Sequence, residues 1–374
     1  MGNDDSAALT DRPMPGCAAT AAARADHAVA AGAPAAGGAA AMTGAGATSY
    51  LPDVAVIAIG RNEGERLRRC LQSVAGRVAV VVYVDSGSTD GSVALSRSLG
   101  AELVCLDMST PFTAARARNA GAQRALQLHP ALAWLQFVDG DCEVDAGWLE
   151  TAHDFLVAHP DVAAAFGRRR ERHPERSIFN RLCDMEWNVP PGEVRSCGGD
   201  VMMRCDAWQR AGGYRDDLIA GEEPELCIRL RGAGWRIRCL DAPMTLHDAA
   251  ITRWGQWWRR TVRTGYAFAE GSHLFGAPPE RHWVRESRRS RLWGLAIPAL
   301  ISLLASAVSP WFLLLLVLYP LQMLRLYLRG RDKSHDLAMR AVFTTLGYFP
   351  EAAGHLRYWR NRLLARRAAL IEYK

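Results

Sequence analysis

The apolar run Val54–Ile59, rich in β-branched residues and closed by Gly60, predicts a buried strand. Behind it, Leu67, Leu71 and Val74 recur at helical spacing within 63–74. A second β-branched run, Val78–Val84, stops at Asp85-Ser-Gly-Ser-Thr-Asp-Gly91, a stretch made almost wholly of turn-forming residues. The pattern continues with a helix over about 92–99, a strand over 102–106, a helix over about 113–128 and a strand over 133–138. That last strand runs into Asp139-Gly140-Asp141. Strands alternating with helices of this length predict an α/β, Rossmann-like fold, a mostly parallel sheet with helices on both faces. Ligands bind such sheets beyond the carboxyl ends of the strands, so Gly60–Glu63, Asp85–Asp90 and Asp139–Asp141 are expected to share one crevice. No Gly-x-Gly-x-x-Gly follows the first strand, which argues against a dinucleotide-binding domain.

Outside this region the pattern changes twice. Residues 18–47 are mostly Ala and Gly with no apolar period, and Asp and Arg interrupt them. The stretch 1–50 is therefore expected to be disordered rather than a signal peptide. From Leu292 to Leu324 there is no charged residue, and Ser309-Pro310 divides the run into 293–308 and 311–328. Each part is close to the lower limit of about 17 residues for a spanning helix. Arg285, Arg288, Arg289 and Arg291 precede the run, and Arg325, Arg329, Arg331 and Lys333 end or follow it. Basic residues at both ends suit a transmembrane hairpin of the cell inner membrane with both ends cytoplasmic. The competing reading is a helical pair buried in a soluble core. Leu337–Phe349, with Arg340 inside it and Pro350 after it, reads as amphipathic, re-entrant or a third span. Trp254, Trp257 and Trp258 among Arg259 and Arg260 suit an interfacial amphipathic helix. The expected division is a disordered 1–50, an α/β domain over 51–250, a Trp/Arg-rich amphipathic linker over 251–290, and a hairpin with a basic C-terminal helix over 291–374.

The formal net charge of +6 is too small to imply a nucleic-acid partner. Arginine clusters at 168–176, 285–291 and 357–367 matter more, since the last two flank apolar segments and suit anionic membrane lipid. Nine cysteines with no Cys-x-x-Cys pair read as reduced thiols, and no paired Cys/His spacing supports zinc.

Asp139-Gly140-Asp141 supplies two carboxylates one residue apart at a strand end. Hard divalent ions such as Mg²⁺ or Mn²⁺ prefer such oxygen ligands and often bridge to substrate phosphates. Asp85, at the end of its own strand, can accept hydrogen bonds from a base or ribose, or cap its turn.

Seven motifs in order carry a resemblance: Gly60-Arg61-Asn62-Glu63; Val84-Asp85-Ser-Gly-Ser-Thr-Asp90; Ala117-Arg118-Asn119-Ala120-Gly121; Asp139-Gly140-Asp141; Gly198-Gly199-Asp200; Gly212-Gly213-Tyr214; and Gly221-Glu222-Glu223-Pro224-Glu225-Leu226, followed by Arg229-Leu230 and Gly234-Trp235. Over roughly 53–247 the chain resembles the family 2 glycosyltransferases of the GT-A fold. The resemblance implies inverting transfer from a nucleotide-sugar donor to a lipid-linked or saccharide acceptor. It implies that Asp85 binds the donor base, that Asp139 faces the ribose or the metal, and that Asp141 holds a divalent metal on the diphosphate. Asn62, Glu63, Arg118, Asn119 and Asp200 fall in segments near the donor. The family's base is usually the Asp of a Glu-Asp pair; here that place holds Glu223, with Glu222 the alternative. Arg61 stands where many relatives carry a base-stacking aromatic, and a guanidinium can stack or contact phosphate. His247, at the end of a strand, is a candidate third metal ligand. Gln256-Trp-Trp-Arg259-Arg260 comes near the Gln-x-x-Arg-Trp signature of processive synthases but lacks the final Trp. The alternatives to single-sugar transfer are a processive polysaccharide synthase, with too few spans to form a channel, and a silent sugar-nucleotide-binding protein.

Overall fold

A computed structural model of the chain describes residues 49–330, 335–366 and 370–372. The disorder expected over 1–50 thus lies outside the described residues, apart from its last two. Residues 49–374 fall in one compact unit. Its first part alternates as the pattern predicts: β1 (Leu51–Gly60), α1 (Glu65–Val74), β2 (Val78–Asp85), α2 (Ser92–Ser98), β3 (Glu102–Cys105), α3 (Ala114–Leu128) and β4 (Trp134–Asp139). Then come β5 (Cys142–Val144), α4 (Trp148–Ala158), β6 (Val162–Glu171), α5 (Ile178–Glu186), β7 (Gly192–Glu193), β8 (Val201–Arg204), α6 (Cys205–Arg210), α7 (Glu222–Gly232) and β9 (Arg236–His247). Helices complete the chain: α8 (Trp254–Phe275), α9 (Val284–Arg291), α10 (Ile297–Ala307), α11 (Leu318–Arg329) and α12 (His335–Leu363).

The sheet order is β3-β2-β1-β4-β8-β6-β9-β5, with β7 paired to β9. From β3 to β4 every pairing is parallel, whereas β8 runs antiparallel to both β4 and β6, and β5 antiparallel to β9. The expectation of a mostly parallel sheet therefore holds for the first half alone; the second half is mixed. The parallel register aligns the strand ends, with Ile59 opposite Asp139 and Gly60 opposite Asp85. Val54–Ala58 of β1 are completely buried, as a central parallel strand requires. Gly121 lets α3 lie close on this part of the sheet, since a Cβ there would stand 2.4 Å from Ile57 Cγ2 and 2.8 Å from Val84 Cγ2.

The C-terminal region departs from the expected division. Residues 254–275 form one 22-residue helix, as the Trp/Arg pattern suggested, but α12 lies along it. Gly354 permits the approach, because a Cβ there would meet Val262 O at 2.2 Å. The stretch 337–349 is the first half of α12, with Tyr348 and Thr345 fully buried against the rest of the protein. Trp257 is likewise buried, in a cluster with Phe179, Cys183 and Ile251, while Trp254 and Trp258 stay exposed. Among the described residues, Val284–Ala307 and Pro310–Arg329 are long enough, and apolar enough over most of their length, to cross a membrane. Each takes in a stretch outside α-helical geometry, a π-helical segment over Leu292–Ala296 and a 3₁₀ segment over Pro310–Val317.

Candidate functional site

The carboxyl ends of β1 and β4 open on a cavity of about 510 Å³, within the size range of small-molecule sites. Gly60, Asp139 and Asp141 form its floor, the start of α7 brings Glu222 and Glu223, and α8 closes it with Arg263, Thr264 and Phe268. Trp283, between α8 and α9, completes that wall.

Arg118, on α3, sits at the centre and is almost fully buried. Its Nη1 donates to Glu222 Oε1 at 2.8 Å and lies 3.1 Å from Glu223 Oε1, while its Nη2 donates to Asp139 Oδ1 at 3.0 Å. The second oxygen of Asp139 accepts from Arg169 Nη2 at 3.1 Å. Burial alone would raise the Asp139 carboxyl, but Arg118 and Arg169 outweigh it and hold the group well below the usual carboxylate range. Glu223 meets the opposite balance. Burial, and after it the neighbouring Glu222, push its carboxyl up to about 7 against the pull of Arg118.

On the far side of Asp139 a second group converges. The antiparallel pairing of β5 with β9 sets Cys142 opposite His247, and the parallel pairing of β6 with β9 sets Glu171 opposite the same histidine. His247 Nε2 lies 3.3 Å from Asp141 Oδ2, and its Nδ1 lies 3.5 Å from Glu171 Oε2. Burial and then the Arg169 charge lower the imidazole pKa, so the ring is neutral, the form that coordinates a metal. Asp141, Cys142 and His247 present ligand atoms within 4.8 Å of one another. Burial holds the Cys142 thiol protonated, which leaves the carboxylate and the imidazole as the donors suited to a divalent cation. Asp141 and His247 thus fit a divalent ion, and Glu171 stands behind the imidazole as carboxylates do behind metal-bound histidines.

A sequence profile of the family described as Glycosyl transferase family 2 matches residues 55–207. The glycosyltransferase AglE of Haloferax volcanii is 33% identical over 217 residues, which span 54% of this chain and 69% of AglE. The chain is a family 2 glycosyltransferase. The succinoglycan biosynthesis protein ExoA of Rhizobium meliloti is 26% identical over 185 residues, 47% of this chain and 55% of ExoA, so the match spans about half of that relative. A mannosyltransferase of Pyrobaculum calidifontis, solved with GDP-Man and Mn²⁺, has the same fold at a TM-score of 0.55 and 20% identity, over 83% of this chain and 88% of its own.

Of the residues singled out in the transferase sequence, Arg61, Glu63, Arg118, Asp139, Asp141, Glu222, Glu223 and His247 line the cavity. Arg61 does so with its guanidinium 2.7 Å from the Glu372 carboxylate, and Glu63 is paired with Arg66 at 2.8 Å. Four others are not part of the cavity lining. Asp85 accepts from the Gly87 and Ser88 amides, each at 2.9 Å, so its carboxylate caps the turn. Asn62, at φ 57°, accepts from the Thr89 amide and ties the first loop to the second. Asn119 spends its amide on the backbone of Tyr214 and on Asp216. Asp200 takes the Asp139 amide and the Thr245 hydroxyl, fixing β4 to β8. Gln256, of the near-signature, accepts from the Thr252 and Arg253 amides and caps α8. Arg169, Glu171, Cys142 and Trp283 were not singled out. The run Arg168-Arg169-Arg170 approaching the end of a strand was the one available signal among them.

Proposed function

We propose that this transferase moves a sugar from a nucleoside-diphosphate sugar, with inversion, to a hydroxyl of a lipid-linked or saccharide acceptor at the cytoplasmic face of the inner membrane, in glycolipid or polysaccharide synthesis. The observation that carries the reading is the meeting of Glu223, Arg118 and the Asp141–His247 pair around one cavity. Asp141 and His247 would hold a divalent cation, Mg²⁺ or Mn²⁺, which when bound offsets charge on the departing diphosphate. Glu223 takes the proton from the acceptor hydroxyl as its oxygen bonds to the anomeric carbon, while the bond from that carbon to the diphosphate oxygen breaks. A carboxyl near 7 is suited to that work, because a base is most effective close to the working pH. Arg118 fixes Glu223 from one side and Asp139 from the other, which keeps the base at a set distance from the donor end.

A membrane-borne acceptor is supported by continuity in the chain. Trp283 lines the cavity, and the helix that begins at the next residue carries Arg285, Arg288, Arg289 and Arg291 ahead of its apolar part from Leu292. The test is transfer of labelled sugar from a panel of nucleotide sugars to membrane lipid extract, with Mn²⁺ or Mg²⁺ supplied. Transfer by the parent and not by Glu223→Gln is expected. Donor binding without turnover under any donor would favour the silent sugar-nucleotide-binding protein instead.

A further inference from the structure

We propose that Leu292–Leu324 enters a bilayer containing anionic lipid as a re-entrant hairpin, whose turn at Val308–Trp311 stays within the membrane and does not emerge on the far side. The proposal rests on the reading that this enzyme is membrane-attached, and it fixes how far the attachment reaches.

Length is the first argument. The leg from Leu292 to Val308 rises roughly 25 Å at ~1.5 Å per residue. The returning leg combines the 3₁₀ segment Pro310–Val317, at ~2.0 Å per residue, with α-helix to Leu324, and rises about 26 Å. The uncharged part of each leg falls short of a hydrocarbon core about 30 Å thick, so a complete crossing would draw Arg291 and Arg325 into it, and any tilt shortens both legs further. The charges agree: Arg288, Arg289 and Arg291 on one leg and Arg325 and Arg329 on the other lie at the same end of the hairpin, where anionic headgroups would meet them.

The turn itself is made for a dry place. A turn in water is normally built from polar residues, but here Val308 is 67% and Trp311 77% exposed, and Ser309 is the polar residue between them. Within hydrocarbon every backbone donor needs a partner from the protein. The Val308 and Ser309 amides both donate to Leu304 O. Pro310 has no N–H, the Trp311 amide donates to Ser309 Oγ, and the Phe312 amide donates to Ser309 O. Each backbone N–H through the turn is thereby paired without water.

The test uses the full chain carrying Val308→Cys, and in parallel Ser306→Cys, reconstituted into sealed vesicles of phosphatidylethanolamine and phosphatidylglycerol. The parent must first float with the vesicles; a protein left in the aqueous fraction, alone or as a dimer of apolar faces, overturns the membrane reading itself. In floating vesicles a membrane-impermeant maleimide is then supplied outside, or sealed inside. Loss of labelling from both sides, with labelling restored by detergent above that of the unsubstituted chain, is the expected result. Leu363→Cys, on the exposed end of α12, serves as the labelled control. Labelling of Val308→Cys from the side that does not label Leu363→Cys means a complete crossing and overturns the re-entrant turn while leaving attachment intact. Labelling of both positions from one side means that the hairpin lies outside the bilayer, and overturns it as well.

Discussion

At the α7 end of the cavity Glu223 stands beside a second carboxylate, Glu222, and one arginine serves both. At the β4 end Asp139 lies between two arginines, one of which, Arg169, it shares with the buried Asp200. Arg118 belongs to both ends, so the difference comes from what else each carboxylate meets. Burial and a like charge make Glu223 hold its proton up to about pH 7, whereas paired guanidinium groups keep Asp139 ionised under any ordinary condition. Carboxylates whose surroundings push them apart in this way divide the labour of a reaction, one moving protons and the other holding charge. The contrast also bears on the metal ligands. Both Asp139 oxygens are engaged by arginine, whereas Asp141 and His247 keep the donor set that fits a divalent cation.

The contrast can be broken most completely at its charged end. Asp141→Ala is expected to abolish metal-dependent binding of nucleoside diphosphate with the fold intact; calorimetry that finds the binding unchanged removes Asp141 from the metal site. Next in size is Glu223→Gln, which keeps shape and hydrogen bonding but loses the basic oxygen. Turnover should fall by about 10²–10⁴-fold while donor affinity stays close to that of the parent. An equal or larger loss in Glu222→Gln would move the base one residue back. Third, Arg118→Met removes the cation common to both ends and leaves three carboxylates short of a partner. It should cost on the order of 3–5 kcal/mol in urea unfolding, and a variant as stable as the parent would show that the network is replaceable.

The smallest effect sharpens the comparison by its sign. Glu223 must be ionised to accept a proton, so kcat/KM should fall as the pH drops through about 7. Burial is the larger cause of that raised value and Glu222 the second. Glu222→Gln removes the like charge and should carry the acid limb of the profile to lower pH without abolishing it. A limb that stays in place, or that moves up, would separate Glu222 from the titration of its neighbour.

The first half of the fold is plain in the sequence because β1, β2 and β4 are buried parallel strands, and such strands read as unbroken apolar runs between turn residues. The second half is obscure for a reason of scale. β5, β7 and β8 have three, two and four residues, too few to show a period, and β9 alternates apolar with charged residues along an irregular pairing. The site divides along the same line. Asp139, Asp141, Glu223 and His247 are legible because each follows or opens an element in a recognisable motif. Glu171 owes its place to a register between strands whose ends lie 76 positions apart, at Glu171 and His247, and no local pattern encodes that. The α8 wall was hidden because Trp-Arg periodicity reads equally as a membrane surface and as a helix whose inner face lines a cavity.

Gly221 ties the α7 end of the cavity to the wall formed by α8 and Trp283. At φ 85° it begins the helix that carries Glu222 and Glu223, and a Cβ there would stand 2.8 Å from the Trp283 ring and 3.7 Å from Ala267. Gly271 crowds the same indole from α8, with a would-be Cβ 2.5 Å away. Two glycines and one tryptophan therefore form a lock in which no member can change size alone. Over evolutionary time the Trp283 wall and the helix that carries Glu222 and Glu223 are expected to drift together, as compensated sets. An engineer who enlarges the cavity at Trp283 should expect to re-tune position 271 in the same step, because φ 85° keeps position 221 a glycine.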